Sequence, residues 1–194
     1  MVIHSATKYL DSQGRVLGGL IAGKKHLTEK VKGFARHSGP ALAPFNAWVI
    51  SKSLETLAVR MDRHCENVLS WSQRLERLSQ IELVKYPFLP SHTQYEVAKK
   101  QMKAGGDIIS FVIAGGFERA WIFLDQLDLV SLTAILGDKR TIATHPASTT
   151  HAKLPTTDRT AIGILPGLIR LSIGLEHVND LYEDIEQALR LGHY

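Results

Sequence analysis

Lys8 lies in the run His4-Ser5-Ala6-Thr7-Lys8-Tyr9, three residues after Ser5 and directly after Thr7. A lysine amine attacks an aldehyde to form a Schiff base only when unprotonated, so that chemistry needs surroundings that lower its pKa. The hydroxyls of Ser5 and Thr7, with nearby backbone amides, suit a phosphate anchored beside the amine. The bland alternative is a solvated lysine in a Ser/Thr-rich turn, and spacing alone favours it. Ser5-x-x-Lys8 also matches the serine-acylase spacing, but that class needs a Lys-Thr-Gly strand and a Ser-x-Asn loop, and the sequence holds neither. Gly18-x4-Gly23-Lys24 has the outline of a phosphate-cradling loop. Lys25 stands where such a loop needs Ser or Thr for magnesium, which argues against it.

Near the other end, Leu168-Ile169-Arg170-Leu171-Ser172-Ile173 alternates as a strand. Arg170 and Ser172 then share one face, and Ile169, Leu171 and Ile173 the other. A guanidinium projecting from such a strand can hold a carboxylate through two parallel hydrogen bonds. A structural ion pair is the equal alternative. His145-Pro146 and His151 suit turn and packing roles better than a metal, because six-residue spacing without nearby Cys, Asp or Glu fits no zinc signature. Cys65, among Arg60, Arg63 and His64, reads as a neutral helix residue. Lys24, Lys25, His26, Lys30 and Lys32 form a basic run interrupted by Glu29, with few aromatics, which reads as a solvated helix face rather than a nucleic-acid patch.

The elements that must place these groups follow from periodicity. Val2–Ile3 reads as the end of a buried strand, and Val16–Ala22 as a second strand weakened by Gly18-Gly19. A basic helix over Leu27–His37 stops at Ser38-Gly39-Pro40. From Pro44, apolar residues at helical spacing continue to Leu78, which is too long for one ordinary helix and predicts a bent helix or two helices. After Gln80, strands are expected at Ile81–Tyr86, Asp107–Ile113, Leu129–Leu136 and Leu168–Ile173. Helices are expected around Thr93–Lys103, Phe117–Leu127, Thr157–Ile162 and Asn179–Arg190. The alternation predicts an α/β layer of helices on a sheet.

The 194 residues are 44% apolar and 22% charged, with 23 basic against 19 acidic side chains. This balance excludes a disordered tail, a collagen-like repeat and a disulfide scaffold, and a single cysteine fits a reducing compartment. The longest apolar runs fall well short of a membrane span, and the first residues show neither a basic leader nor an apolar core. A soluble cytoplasmic protein with neither membrane nor nucleic-acid partners is expected.

Taken together, several segments resemble one family, the pyridoxal-phosphate-dependent Cys/Met-metabolism (trans-sulfuration) enzymes. They are His4–Tyr9, Val16-Leu-Gly-Gly19, Gly39–Trp48, Leu54-Glu-Thr-Leu57, Arg60–Asn67, Leu136-Gly-Asp138, Thr144–His151 and Gly167–Glu176. The likeness runs colinearly through nearly the whole chain. It implies that Lys8 holds pyridoxal 5'-phosphate as a Schiff base, that Ser5 and Thr7 contact its phosphate, and that Arg170 binds the substrate α-carboxylate. Within the family, Asp11-Ser-Gln-Gly-Arg15 looks most like the O-succinylhomoserine sulfhydrylase branch, whereas cystathionine lyases and synthases tend to carry Gly-His-x-Asp there. The implied reaction is a γ-replacement on O-succinylhomoserine by sulfide, giving homocysteine for methionine biosynthesis. Ile135 departs from the pattern, since relatives often carry Ser or Asn before Leu-Gly-Asp.

The resemblance also implies a fold-type-I, aspartate-aminotransferase-like architecture of which this chain is the C-terminal half. Residues 1–60 are expected to be the tail of the large cofactor domain, and residues 61–194 a C-terminal α/β domain. The glycine-rich phosphate turn, the aromatic that stacks on the cofactor ring and the aspartate at its pyridine nitrogen would all lie upstream of this sequence. A homotetramer of catalytic dimers acting on small amino-acid substrates is the implied assembly, and an inactive remnant or assembly module is the alternative to an enzyme.

Overall fold

The computed structural model describes residues 1–191 and contains two compact units, Met1–Val59 and the chain from Arg60 onward. In the first unit, β1 (Val2–Ser5) pairs antiparallel with β2 (Gly19–Ala22), so that Ser5 faces Gly19. Helices α1 (Lys25–Ser38) and α2 (Pro44–Leu54) follow. Helix α1 ends where Gly39 adopts φ 92°, the left-handed cap that glycine supplies without Cβ strain. Ala6, Leu10, Val16, Val49 and Ile50 make a small core, with Leu20 and Leu57 against it. A Cβ on Gly18 would come within 2.9 Å of Ile50, so glycine there lets the chain entering β2 approach α2. Contrary to the buried strand expected, β1 is exposed throughout, because among the described residues it pairs with β2 alone in a two-stranded ribbon.

The helical pattern from Pro44 resolves into two helices. α2 stops at Leu54, and α3 (Leu57–Leu75) begins after Glu55-Thr56. The break coincides with Thr56, whose N–H and Oγ1 both donate to the Ser53 carbonyl in a tight turn.

In the second unit a five-stranded sheet has the order β3 (Ile81–Lys85), β4 (Ile108–Ile113), β7 (Leu168–Ser172), β6 (Ile142–Thr144), β5 (Ser131–Leu132). β5 and β6 pair in parallel and the other neighbours antiparallel. Ile109, Phe111, Ile113, Ala143, Ile169, Leu171 and Ile173 enter one core with Val68, Trp71 and Leu75 of α3. Ala120 and Phe123 of α5 (Gly116–Asp125) and Leu181, Ile185 and Ala188 of α7 (Val178–Leu191) complete it. Phe111 and Phe123 meet edge to face at 5.9 Å, a favourable aromatic arrangement. The short helices α4 (Tyr95–Gln101) and α6 (Thr156–Ala161) finish the unit, and the α/β class expected from the alternation is present.

One further strand expectation needs correction, and one strand was not expected. Leu129–Leu136 is strand only at Ser131–Leu132, because Ala134 and Ile135 leave the sheet and turn their carbonyls to Arg170. The three-residue strand β6 escapes period-2 reading altogether. Among the described residues no helix is long and apolar enough to cross a membrane.

Candidate functional site

Lys8 sits in a single turn, Ala6–Leu10, that leaves β1 at Ser5. Its backbone (φ −86°, ψ −123°) is non-helical and kinks the turn between Thr7 and Tyr9. The turn is tied to the opposite strand's approach: Ala6 N–H donates to the Gly18 carbonyl at 2.8 Å, and Gly18 N–H donates to Thr7 Oγ1 at 3.1 Å. Downstream, Asp11 N–H reaches the Ala6 carbonyl at 2.9 Å and Ser12 N–H the Lys8 carbonyl at 2.7 Å.

Asp11 locks the exit from this turn. Its buried carboxylate accepts from Arg15 N–H at 2.7 Å and from Arg15 Nε at 2.9 Å. Arg15 Nη2 continues to Ser53 Oγ at 2.6 Å, and that hydroxyl donates to the Val49 carbonyl at 2.8 Å. The loop after Lys8 is thus tied to α2. Burial works to raise the Asp11 carboxyl pKa, but the Arg15 N–H, the Arg15 guanidinium and the Val16 N–H outweigh it and hold the group below the usual carboxylate range.

Within this turn Ser5 is exposed, while Thr7 and Lys8 are half-buried. Ser5, Thr7 and Lys8 thus lie where β1 passes into this turn, and Arg170 lies in the second unit. Thr7 Oγ1 accepts from Gly18 and has its own hydrogen with which to donate. Two hydroxyls and an amine, one at the end of β1 and two on the turn, are a donor set that suits a phosphorylated aldehyde, the hydroxyls for the anion and the amine for the carbonyl.

Arg170 belongs to the second unit, in the middle of the central strand β7, opposite Ser110 of β4 and Thr144 of β6. The expected alternation holds: Ile169, Leu171 and Ile173 are in the core, and the half-buried Arg170 points the other way. Its Nη2 donates to the carbonyls of Ala134 and Ile135, each at 3.1 Å, and to Thr144 Oγ1 at 3.2 Å. Thr144 and Ala134 also line a pocket of about 200 Å³ floored by Trp121, Leu124 and Ala143.

His145 is buried, with Nε2 2.7 Å from the Pro166 carbonyl and Nδ1 2.8 Å from Ser148 Oγ. No group of His, Cys, Asp and Glu among the described residues could hold a metal ion. Burial pushes the Cys65 thiol pKa up, and Asp107, Asp62 and Glu66 push it the same way against one N–H bond from Gly106. Helix α1 buries none of its residues, and Lys25 pairs with Glu29 at 3.7 Å, as a solvated helix face does.

Sequence reasoning missed Asp107, which is buried and accepts from Ser172 Oγ at 2.6 Å. Alternation placed Ser172 on the Arg170 face, but nothing local marks a carboxylate whose partner is 65 positions away. It also missed the clasp beyond β7, where His64 Nδ1 meets the Ile173 carbonyl at 2.6 Å and Asn67 Nδ2 reaches the Gly174 and Glu176 carbonyls at 3.0 and 3.1 Å.

A mixed α/β chain with a hydroxyl-flanked lysine turn and a strand-borne arginine carries groups that could serve a phosphorylated aldehyde and a carboxylate. The model of the Cys/Met metabolism PLP-dependent enzyme family matches residues 1–190, and the chain belongs to that family. It is 47% identical over 189 residues to an O-succinylhomoserine sulfhydrylase of Pseudomonas aeruginosa, covering 97% of this chain and 47% of the relative. An L-methionine gamma-lyase of Fusobacterium nucleatum subsp. nucleatum is 43% identical over 191 residues, covering 97% and 48%. The crystal structure of MetB from Corynebacterium glutamicum superposes with a TM-score of 0.88 at 37% identity, covering 98% of this chain and 49% of that one. The chain spans about half the length of the curated relatives it matches.

Proposed function

We propose that this chain is the lysine-bearing half of an O-succinylhomoserine sulfhydrylase that replaces the γ-succinyl group with sulfide to give homocysteine. The observation that carries the reading is the half-buried Lys8 on a kinked turn flanked by the Ser5 and Thr7 hydroxyls. The sulfhydrylase assignment draws support from the Pseudomonas aeruginosa relative and from the Asp11–Arg15 clamp built by Asp11-Ser-Gln-Gly-Arg15. Residues 1–60 then belong to a larger cofactor domain and residues 61–194 to the C-terminal domain.

In this reading Ser5 and Thr7 donate to the phosphate of pyridoxal phosphate, and Lys8 is its covalent anchor. The cofactor, when bound, supplies the electron sink that lets bonds at the substrate amino acid break heterolytically. Lys8 would take the proton from the substrate Cα and return protons as the product forms. Arg170 holds the substrate α-carboxylate. The assembly is a cytoplasmic homotetramer of catalytic dimers working on small amino-acid substrates.

About half of the relatives' length lies outside this sequence, and in this reading catalysis needs that remainder as well. Met1, Val2, Ile3 and Leu17 are 61, 53, 69 and 78% exposed, apolar surface that the remainder would cover. The same exposure favours a second reading, an inactive remnant or assembly module. The γ-lyase relative keeps other reactions of the family, including those of cystathionine γ-synthase and lyase, as outcomes of an assay.

The test mixes the purified chain with pyridoxal phosphate, reduces with borohydride and maps modified lysines by mass spectrometry, with and without a co-expressed complementing half. Lys8 is expected to carry the pyridoxyl group, weakly in the chain alone and stoichiometrically in the complex. Sulfide-dependent homocysteine formation is expected only in the complex. Labelling spread over other lysines, or unchanged in Lys8→Ala, overturns the assignment. An accurately labelled but inert complex points to the remnant.

A further inference from the structure

We infer that Ser172 and Asp107 are positioning residues that set where the Arg170 guanidinium stands, by pinning the loop that holds it. The inference rests on the reading of Arg170 as a carboxylate anchor, and it deepens that reading. Arg170 Nη2 donates to the Ala134 and Ile135 carbonyls, so a shift of the loop backbone shifts the perch of the guanidinium. Two residues later in that loop, Gly137 turns the chain with φ 74° and donates its N–H to Ser172 Oγ at 2.9 Å.

Ser172 is the next residue of β7 on the Arg170 face, and it is wholly buried. A hydroxyl has one hydrogen, and Asp107 Oδ2, 2.6 Å away, takes it. With its hydrogen on Asp107, Ser172 turns its lone pairs toward the Gly137 N–H. The far end of the loop is held by the same chain segment. Gly174 N–H donates to Thr141 Oγ1 at 2.8 Å, Leu175 N–H to the Lys139 carbonyl at 2.8 Å, and Thr141 N–H to Glu176 Oε1 at 2.7 Å. The loop from Ala134 to Thr141 is therefore gripped by the strand that carries Arg170 and its immediate extension, which keeps the arginine and its carbonyl perch in register. Ser172, with no exposed surface, cannot touch a ligand and acts through Arg170.

The test uses the full chain labelled with ¹⁵N, following the Gly137 amide exchange rate, the Arg170 guanidinium resonance and titration with sodium succinate as the carboxylate probe. Ser172→Ala is expected to speed Gly137 exchange at least tenfold, shift the Arg170 resonance and weaken succinate at least threefold. Ser172→Thr, which keeps the hydroxyl, is expected to restore all three. Wild-type exchange at Gly137 with an unmoved Arg170 resonance in Ser172→Ala overturns the inference. Should that variant fail to fold, Asp107→Asn decides by the same two signals, because an amide can donate to Ser172 and release its orientation. Arg170→Gln judges the underlying reading separately: succinate binding unchanged there defeats the carboxylate role, while the Gly137 and Arg170 signals still judge the positioning.

Discussion

Asp11 and Arg15 meet through both main chain and side chain, with the Arg15 N–H 2.7 Å from Oδ2 and its Nε 2.9 Å from Oδ1. The carboxylate is buried, so removing it strands donors that water reaches poorly. Asp11→Ala is expected to cost about 1–3 kcal/mol, measured by urea denaturation of the full chain. Because the folded carboxyl pKa is depressed, the stability it contributes is complete above about pH 4 and is lost as pH falls through the folded value. Asp11→Ala is expected to flatten that acid limb.

Ser12 adjoins the clamp and carries the positive φ of 61°, a left-handed conformation that costs a non-glycine residue about 1–2 kcal/mol. Its Oγ is also buried without a hydrogen-bond partner. Ser12→Gly removes both penalties against a glycine entropy cost of about 0.5–1 kcal/mol, so a net gain of about 1 kcal/mol is expected. Ser12→Ala removes the orphaned hydroxyl and keeps the strain, and is expected to fall between the two. A glycine variant less stable than wild type in thermal melts would show that the strain has been misassigned.

These neighbouring residues mark where sequence reading succeeds and where it stops. Asp11-Ser-Gln-Gly-Arg15 was legible as a motif, and alternation over Leu168–Ile173 placed Arg170 and Ser172 on one face because strand geometry allows nothing else. The long helical pattern allowed two helices, and Thr56 shows where the break falls. The strand expected at Leu129–Leu136 failed because hydrophobicity does not report that the Ala134 and Ile135 carbonyls are drawn to a guanidinium 35 and 36 positions away. Asp107 stayed invisible for the same reason, as buried polar pairs are made by the fold and leave no local period.

His145 provides a pH test. The Pro166 carbonyl can only accept, so Nε2 carries the proton and Nδ1 accepts from Ser148, the neutral tautomer. Burial lowers its pKa, the Pro166 bond works the other way, and the Arg159 charge adds to the lowering. The unfolded chain then binds the extra proton more readily, so the stability is complete above about pH 6.5 and is lost as pH falls through the folded value. In matched urea titrations from pH 7.5 to 5, wild type is expected to lose stability more steeply than His145→Gln, which is itself about 1–3 kcal/mol less stable at pH 7.5. Parallel slopes would remove His145 from the acid sensitivity.

Gly174 is where space, rather than backbone angle, excludes a side chain. A Cβ there would lie 2.6 Å from the Arg140 carbonyl carbon, and closer still to the Lys139 carbonyl oxygen and Glu176 Oε2. Two of those three contacts are main chain held by the Leu175-to-Lys139 and Thr141-to-Glu176 hydrogen bonds, so they cannot step aside as a flexible side chain would. Overpacking of this kind costs about 1–3 kcal/mol or more, and here relief requires moving the loop that also perches Arg170. Gly174→Ala is expected to lower stability by at least about 2 kcal/mol and to speed amide exchange at Thr141 and Leu175 before it affects the core strand amides of β4. Gly33→Ala, in an exposed stretch of α1 with nothing within 4 Å of the added carbon, is the matched control. That change is expected to be neutral or slightly stabilising through helix propensity. Equal losses in the two variants would mean that the Gly174 junction is looser than its contacts require.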